Sequence, residues 1–366
     1  MKLVYVLPKY DASAGEHFAH TYRLLEELGK HLDLAVVIEK CTGKPTFKNV
    51  KTVRIINEDK FLPRLAKTFK TLWNLRGKGY TKIYTHYSFY GALSARLVTT
   101  LRGGLTSYWN CGLPHLYFKT FGQKGWLTNK INDDWPLRLS LLFTNYLITG
   151  TKRMKHYYHN QFGVPLRKII VIPNDIDLAR FTPKPPPNNK TPVIFFVHRI
   201  SERKGAHHLV PIAREVLAHT NAHFVIAGDG PYLPALTKLV KQHKLNKNFT
   251  LLGPVPNTQI MNYYATSDLF IMPSDEEGMP RVLLEAQAMG VPFVATDVGG
   301  VRDIIPSEQQ DFVVPKGNTS LFAQKILQLL GDSSLRQKLR DAGLANVKKY
   351  NLPGIAKQTA ELFKKQ

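Results

Sequence analysis

Cysteine is scarce: two, Cys41 and Cys111, in 366 residues. They form no Cys-x-x-Cys pair and have no histidine cluster at ligand spacing nearby, which argues against a disulfide framework or a structural zinc site. Long apolar runs are also missing, since none approaches the ~18 residues that a membrane-spanning helix needs. Lys2 is followed only by Leu3 to Leu7 before Pro8, shorter than the apolar region of a signal peptide. The expectation is a cytoplasmic, reduced protein without a transmembrane anchor. Acidic side chains are few: 27 against 50 Lys and Arg, a formal charge of +23. Of that excess, +16 falls in the first 180 residues. Nucleic acid, an anionic membrane face and a polyanionic substrate all suit such a charge. The chain shows no zinc finger, RNA-recognition aromatic motif or KH-type loop, so nucleic acid is not the expected partner.

What is present is a foldable core, with 43% apolar and 21% charged residues, which excludes disorder as the dominant state. The length suits two domains. Lys2 to Leu7 reads as a strand, Ser13 to Gly15 as a loop and Glu16 to Lys30 as an amphipathic helix. Further strand-like runs at Leu34–Ile38, Val53–Ile56, Lys82–Thr85, Thr106–Trp109 and Leu147–Thr149 alternate with helical patterns. That alternation predicts a parallel sheet covered by helices. A Pro-rich segment from Thr182 to Pro192 interrupts the pattern, after which it resumes at Val193–Val197, His223–Ala227, Thr250–Leu252, Leu269–Met272 and Phe293–Ala295. The fold expected is α/β, with two doubly wound Rossmann-like domains facing across a cleft. Its parts are an N-terminal domain at 1–182, a linker at 183–192, a C-terminal domain at 193–350, and a C-terminal helix at 351–366 packing at the domain junction.

The most informative segment runs from Ser274 to Gly300. Gly278 and Pro280 permit a tight turn into a helix predicted from Arg281 to Met289 and closed by Gly290. Unpaired N–H groups at such a helix start can hold an anion. Read singly, Glu277 suits a helix-start charge and Glu285 a solvated surface carboxylate. Read with the Gly-Met-Pro turn and Gly299-Gly300, the two carboxylates fit sugar and ribose hydroxyls, which are hydrogen-bond donors. A second segment, Phe195 to Gly205, is a strand followed by a loop bearing Arg199, Arg203 and Lys204. A planar guanidinium at Arg199 and a point charge at Lys204 suit a diphosphate whose charge grows on bond cleavage; a solvated basic loop is the alternative.

These segments resemble the retaining glycosyltransferases of family 4, which have the two-Rossmann-domain fold called GT-B. Glu277 and Glu285 match that family's Glu-x7-Glu signature. The resemblance implies that Glu277 contacts the donor sugar, that Glu285 contacts the ribose, and that backbone around Gly278, Met279, Pro280, Val282 and Leu283 holds sugar and phosphate. It places Arg199 and Lys204 against the donor diphosphate. His198 stands where the family usually has glycine. The family's glycine-rich loop corresponds to Ser13–His17, which assigns Gly15 a donor-phosphate role. Val171 to Asn174 also resembles the family, with Asp175 replacing the usual glycine, and reads as a hinge marker. Trp109-Asn110-Cys111-Gly112 stands where many members carry a histidine, so that role does not transfer. Asn110 and His86 are candidates for the acceptor side, with a structural role as the alternative for each.

The resemblance implies a nucleotide-diphosphate sugar donor, a glycan or lipid-linked saccharide acceptor of the cell envelope, and a front-face mechanism in which the leaving phosphate takes the acceptor proton. No Asp-x-Asp metal motif is evident, so no metal and no other cofactor is expected. The stretch Lys60 to Lys78 contains no acid. Leu62, Leu65, Phe69, Leu72 and Trp73 recur at helical spacing, with Arg64, Lys67 and Lys70 elsewhere around the wheel. It reads as a helix packing its apolar face on the sheet, as a contact with anionic lipid on the inner face of the plasma membrane, or as both. The alternatives to a transferase are a nucleotide-sugar epimerase on the same fold and a basic nucleic-acid-binding protein.

Overall fold

A computed structural model describes residues 1–12, 19–112 and 135–366. The chain divides into two compact units, Met1–Asp175 with Leu352–Gln366, and Ile176–Asn351. In the first, seven parallel strands lie in the order β3-β2-β1-β4-β5-β6-β7, namely β1 Lys2–Asp11, β2 Asp33–Thr42, β3 Thr52–Ile55, β4 Lys82–His86, β5 Leu105–Trp109, β6 Tyr146–Thr149 and β7 Ile169–Val171. Leu3 to Leu7 are all buried, as expected of a central parallel strand covered on both faces. In the second unit six parallel strands lie in the order β10-β9-β8-β11-β12-β13, namely β8 Val193–Val197, β9 His223–Ala227, β10 Phe249–Gly253, β11 Leu269–Met272, β12 Phe293–Thr296 and β13 Val313–Val314. Ile194, Phe196, Phe224 and Ile271 of that sheet bury against Leu209, Ile212 and Phe322 from the helices.

Both sheets are doubly wound, as predicted. Each reverses its strand order at one point, between β1 and β4 and between β8 and β11. Ligands in such folds bind beyond the carboxyl ends of the strands at that reversal. The short strands β7 and β13 were not among the predicted strands. Each carries three residues or fewer, too short a run for a period-two pattern to register.

The unit boundaries differ from those expected. The division falls at Asp175/Ile176 rather than after Thr182, because Ile176 bridges to Asn351 and donates its N–H to Tyr350 O. The 183–192 segment is an arm on the second unit. Asn189 donates to Thr266 O and Asp268 Oδ2, and Lys184 O accepts from Arg340. The C-terminal helix Leu352–Lys365 belongs to the first unit. Its Phe363 ring lies 5.0 Å from that of Tyr84, and its Phe363 carbonyl accepts from Lys82.

The Lys60–Lys78 stretch forms the helix Phe61–Gly77. Its buried seam is Thr68, Leu72 and Leu75, with Phe69 and Trp73 packed alongside. Leu62 departs from the expected apolar face and is 70% exposed, as it lies in the first turn.

Candidate functional site

Among the residues singled out in the second unit, His198, Lys204 and Glu277 converge at the β8/β11 reversal. Strand β8 ends at Val197, so His198 and Arg199 emerge from its carboxyl end; β11 ends at Met272, so Ser274 and Glu277 emerge from the neighbouring one. The turn Glu202–Lys204 is followed by Gly205 at φ 75°. A Cβ there would collide with Pro273 O, so glycine lets the two loops touch and brings Lys204 to Glu277.

Glu277 is the centre of the cluster. Its Oε1 accepts from Lys204 Nζ at 2.7 Å, His198 Nε2 at 3.0 Å and Ser274 Oγ at 3.0 Å. Burial by itself would raise the Glu277 carboxyl, but the Lys204 ammonium and the His198 hydrogen bond outweigh it and hold the group far below its ordinary range. Glu277 is therefore an ionised acceptor at every physiological pH. Burial lowers Lys204 while Glu277 opposes that shift. Lys204 Nζ also reaches Glu276 O at 3.3 Å. Arg199 is exposed, and its guanidinium makes no hydrogen bond or ion pair among the described residues, so it remains available to an anion at the same strand end.

The signature helix forms as predicted, Arg281–Met289 with Gly290 in the left-handed region at its end. Pro280 precedes it in extended conformation and supplies no side-chain cap. Met279, Pro280 and Leu283 are buried and Gly278 and Val282 half-buried. Gly299 has φ 52°, and a Cβ there would collide with the Glu277 carbonyl. Its neighbour Gly300 donates to Gly278 O at 2.7 Å. The Gly-Gly turn thus braces the loop that carries Glu277.

Glu285 lies within the helix, and its Oε2 accepts from Tyr264 Oη at 3.2 Å. Burial raises its carboxyl, partly offset by Arg281, Tyr264 and Arg180. It is neither fully buried nor freely solvated.

Ser274 and Tyr264 were not anticipated. Serine after a strand is too common to stand out, and Tyr264 is 21 residues from the carboxylate it meets. Asp275 is also engaged, by His208 at 3.1 Å, His207 at 3.6 Å and Lys316 at 3.9 Å. Burial by itself would raise its carboxyl, but these neighbours hold it below its ordinary value.

In the first unit, His86 ends β4 as expected. Its Nδ1 is bound by the Tyr5 hydroxyl, and its ring lies 4.3 Å from that of Trp109. Asn110 takes the structural alternative. It is buried and donates to Tyr108 Oη, while its Oδ1 accepts from Tyr158 Oη and the Gly112 N–H, so its amide holds the loop together. A buried carboxylate that sequence reasoning missed, Glu39, accepts from Ser88 Oγ, which caps the helix Phe89–Arg102. Gly15 lies outside the described residues.

An Asp-x-Asp spacing does occur in the chain, at Asp175-Ile176-Asp177, against expectation. Asp177 Oδ1 accepts from the Ala179 N–H and so closes a turn.

Two family models divide the chain between them. Residues 18–180 match Glycosyltransferase Family 4 and residues 179–345 match Glycosyl transferases group 1. The chain belongs to the family 4 glycosyltransferases. Its curated relatives include an alpha-D-kanosaminyltransferase of Streptomyces kanamyceticus, 32% identical over 47% of this chain and 45% of the relative. Another is the putative colanic acid biosynthesis glycosyltransferase WcaL of Escherichia coli K12, 30% identical over 45% of this chain and 43% of the relative. The chain spans less than half the length of these relatives. Among solved structures, Anabaena Alr3699/HepE in complex with UDP matches with a TM-score of 0.79 over the whole of both chains at 17% identity. At that identity the match speaks for the fold, which is that of the GT-B glycosyltransferases.

Proposed function

We propose that this glycosyltransferase moves a sugar from a nucleotide-diphosphate donor to a glycan or lipid-linked saccharide of the cell envelope, with retention of anomeric configuration and without a metal. The observation that carries this reading is the ionised Glu277 beside the Gly-Met-Pro turn that leads into the helix Arg281–Met289. Together they offer an acceptor for sugar hydroxyls and main-chain donors for a phosphate. Arg199 supplies charge where negative charge grows on the leaving diphosphate. The UDP in the Anabaena structure and the colanic acid pathway named for WcaL support the donor class and the envelope setting.

The membrane reading rests on the helix Phe61–Gly77. Phe61 and Leu62 are exposed at its start, and Lys60, Lys70 and Lys78 are exposed along it. Arg64 and Lys67 are instead engaged with Glu58, Asp59 and Ile56. The free cations would each add about 1 kcal/mol at an anionic surface. No helix among the described residues is long and apolar enough to cross a membrane.

A thermal-shift screen against UDP, GDP, ADP, CDP and their sugar conjugates tests the donor reading, since a ligand that binds the folded state raises its stability. Stabilisation by one nucleotide family, lost in Glu277→Ala and Arg199→Ala, is expected. No stabilisation of the folded protein by any of them overturns it. Retention is read from the anomeric configuration of the product, metal independence from turnover in EDTA, and membrane contact from cosedimentation with phosphatidylglycerol vesicles.

A further inference from the structure

His198, where the resembled family usually carries glycine, uses both ring nitrogens. Nδ1 accepts from the Arg199 backbone N–H at 2.9 Å, and Nε2 lies 3.0 Å from Glu277 Oε1. A backbone amide is a donor and nothing else, so Nδ1 carries no proton. The proton of the neutral ring is therefore on Nε2, and that N–H donates to Glu277.

We infer that His198 is a positioning residue of the donor site: main chain sets its tautomer, and its Nε2–H holds the Glu277 carboxylate where a donor sugar is bound. This inference rests on the reading of Glu277 given above. The groups facing the ring agree with it. Burial and the Lys204 ammonium disfavour the imidazolium, with Arg203 adding to them, and Glu277 opposes; the balance keeps the ring neutral below its ordinary value of 6.5. Protonation would set an Nδ1–H against the Arg199 N–H, donor against donor, and break the arrangement.

Lys204 and Ser274 also reach Oε1, but neither duplicates the imidazole. Lys204 is a rotatable point charge and Ser274 sits three residues away on the same loop, whereas His198 ties that loop to the end of β8.

Two measurements test the inference. In protein labelled with 15N-histidine, and with His198→Gln identifying the resonances, His198 is expected as the Nε2–H tautomer titrating below 6.5. An Nδ1–H tautomer, or titration at or above that value, overturns the inference without any substrate. The second measurement is turnover of the sugar nucleotide that stabilises the wild type, with UDP binding followed in parallel.

His198→Gln keeps a donor at the Nε2 position and is expected within about threefold of wild-type kcat, with its acid limb moved to lower pH. His198→Asn keeps only the acceptor to Arg199, and His198→Gly keeps neither. Both are expected to lose roughly 10- to 100-fold in kcat, the worth of a hydrogen bond to a charged group, with UDP affinity unchanged. Wild-type turnover in His198→Gly overturns the inference. A wild type that turns over no sugar nucleotide refutes the functional reading instead, and the spectrum then judges His198 alone.

Discussion

Replacing Lys204 with methionine removes the ammonium from Glu277 and keeps a side chain of similar length. The two side chains are 8% and 6% exposed and 2.7 Å apart, so water is poorly placed to take over. At an effective dielectric of about 20, their attraction is on the order of 6 kcal/mol. Part of it is offset by the cost of burying Lys204, which shows in its lowered pKa. Removing one partner of such a pair costs about 3–5 kcal/mol, because the other charge is stranded. His198 and Ser274 remain on Oε1 and soften the loss, which places Lys204→Met near about 3 kcal/mol. Glu277→Gln in the same background removes the stranded charge, so the double variant should be more stable than the sum of the singles by about 2 kcal/mol. Urea unfolding at pH 7, followed by far-UV circular dichroism on the four proteins of the cycle, measures both quantities. A cost below about 1 kcal/mol for Lys204→Met, or strict additivity, would refute the picture of Lys204 as the buried counter-charge.

The depressed Glu277 carboxyl also makes a pH prediction. Its stabilisation is complete above the ordinary value of 4.5 and is lost as pH falls below it toward the folded value. The stability advantage of the wild type over Glu277→Gln should therefore be constant from pH 6 to 8 and shrink between pH 5 and 3 in parallel urea series; a constant difference down to pH 3 contradicts the assignment. Gly299→Ala combines a left-handed backbone with a collision against the Glu277 carbonyl and should cost at least about 1–3 kcal/mol. Gly317→Ala shares the positive φ but has open space around it, and calorimetry should rank it as the milder change.

Several elements were legible because their determinants are local. Strand β8 and the helix Arg281–Met289 fall within a residue of where apolar runs, Pro280 and Gly290 put them. The Glu277–Glu285 spacing was legible for the same reason, since one short segment carries both. The arm at 183–192 was misread because its Pro-rich composition says that regular structure stops and not where the chain then lies. The choice between the two readings of Asn110 was not legible, because its partners Tyr158 and Gly112 satisfy the amide only after β5 and the helix Lys152–Phe162 have packed.

The amino-acid sequence by itself determined two rounds of strand and helix, the glycines that permit the turns, and the family to which the chain belongs. Tertiary structure alone decided which partners Glu277 would have. His198 lies 79 residues away in the chain, and it reaches Oε1 because parallel pairing sets the ends of β8 and β11 side by side. A carboxylate's charge state follows from what surrounds it. Burial without Lys204 and His198 would have raised the Glu277 carboxyl, and only the folded sheet supplies those neighbours.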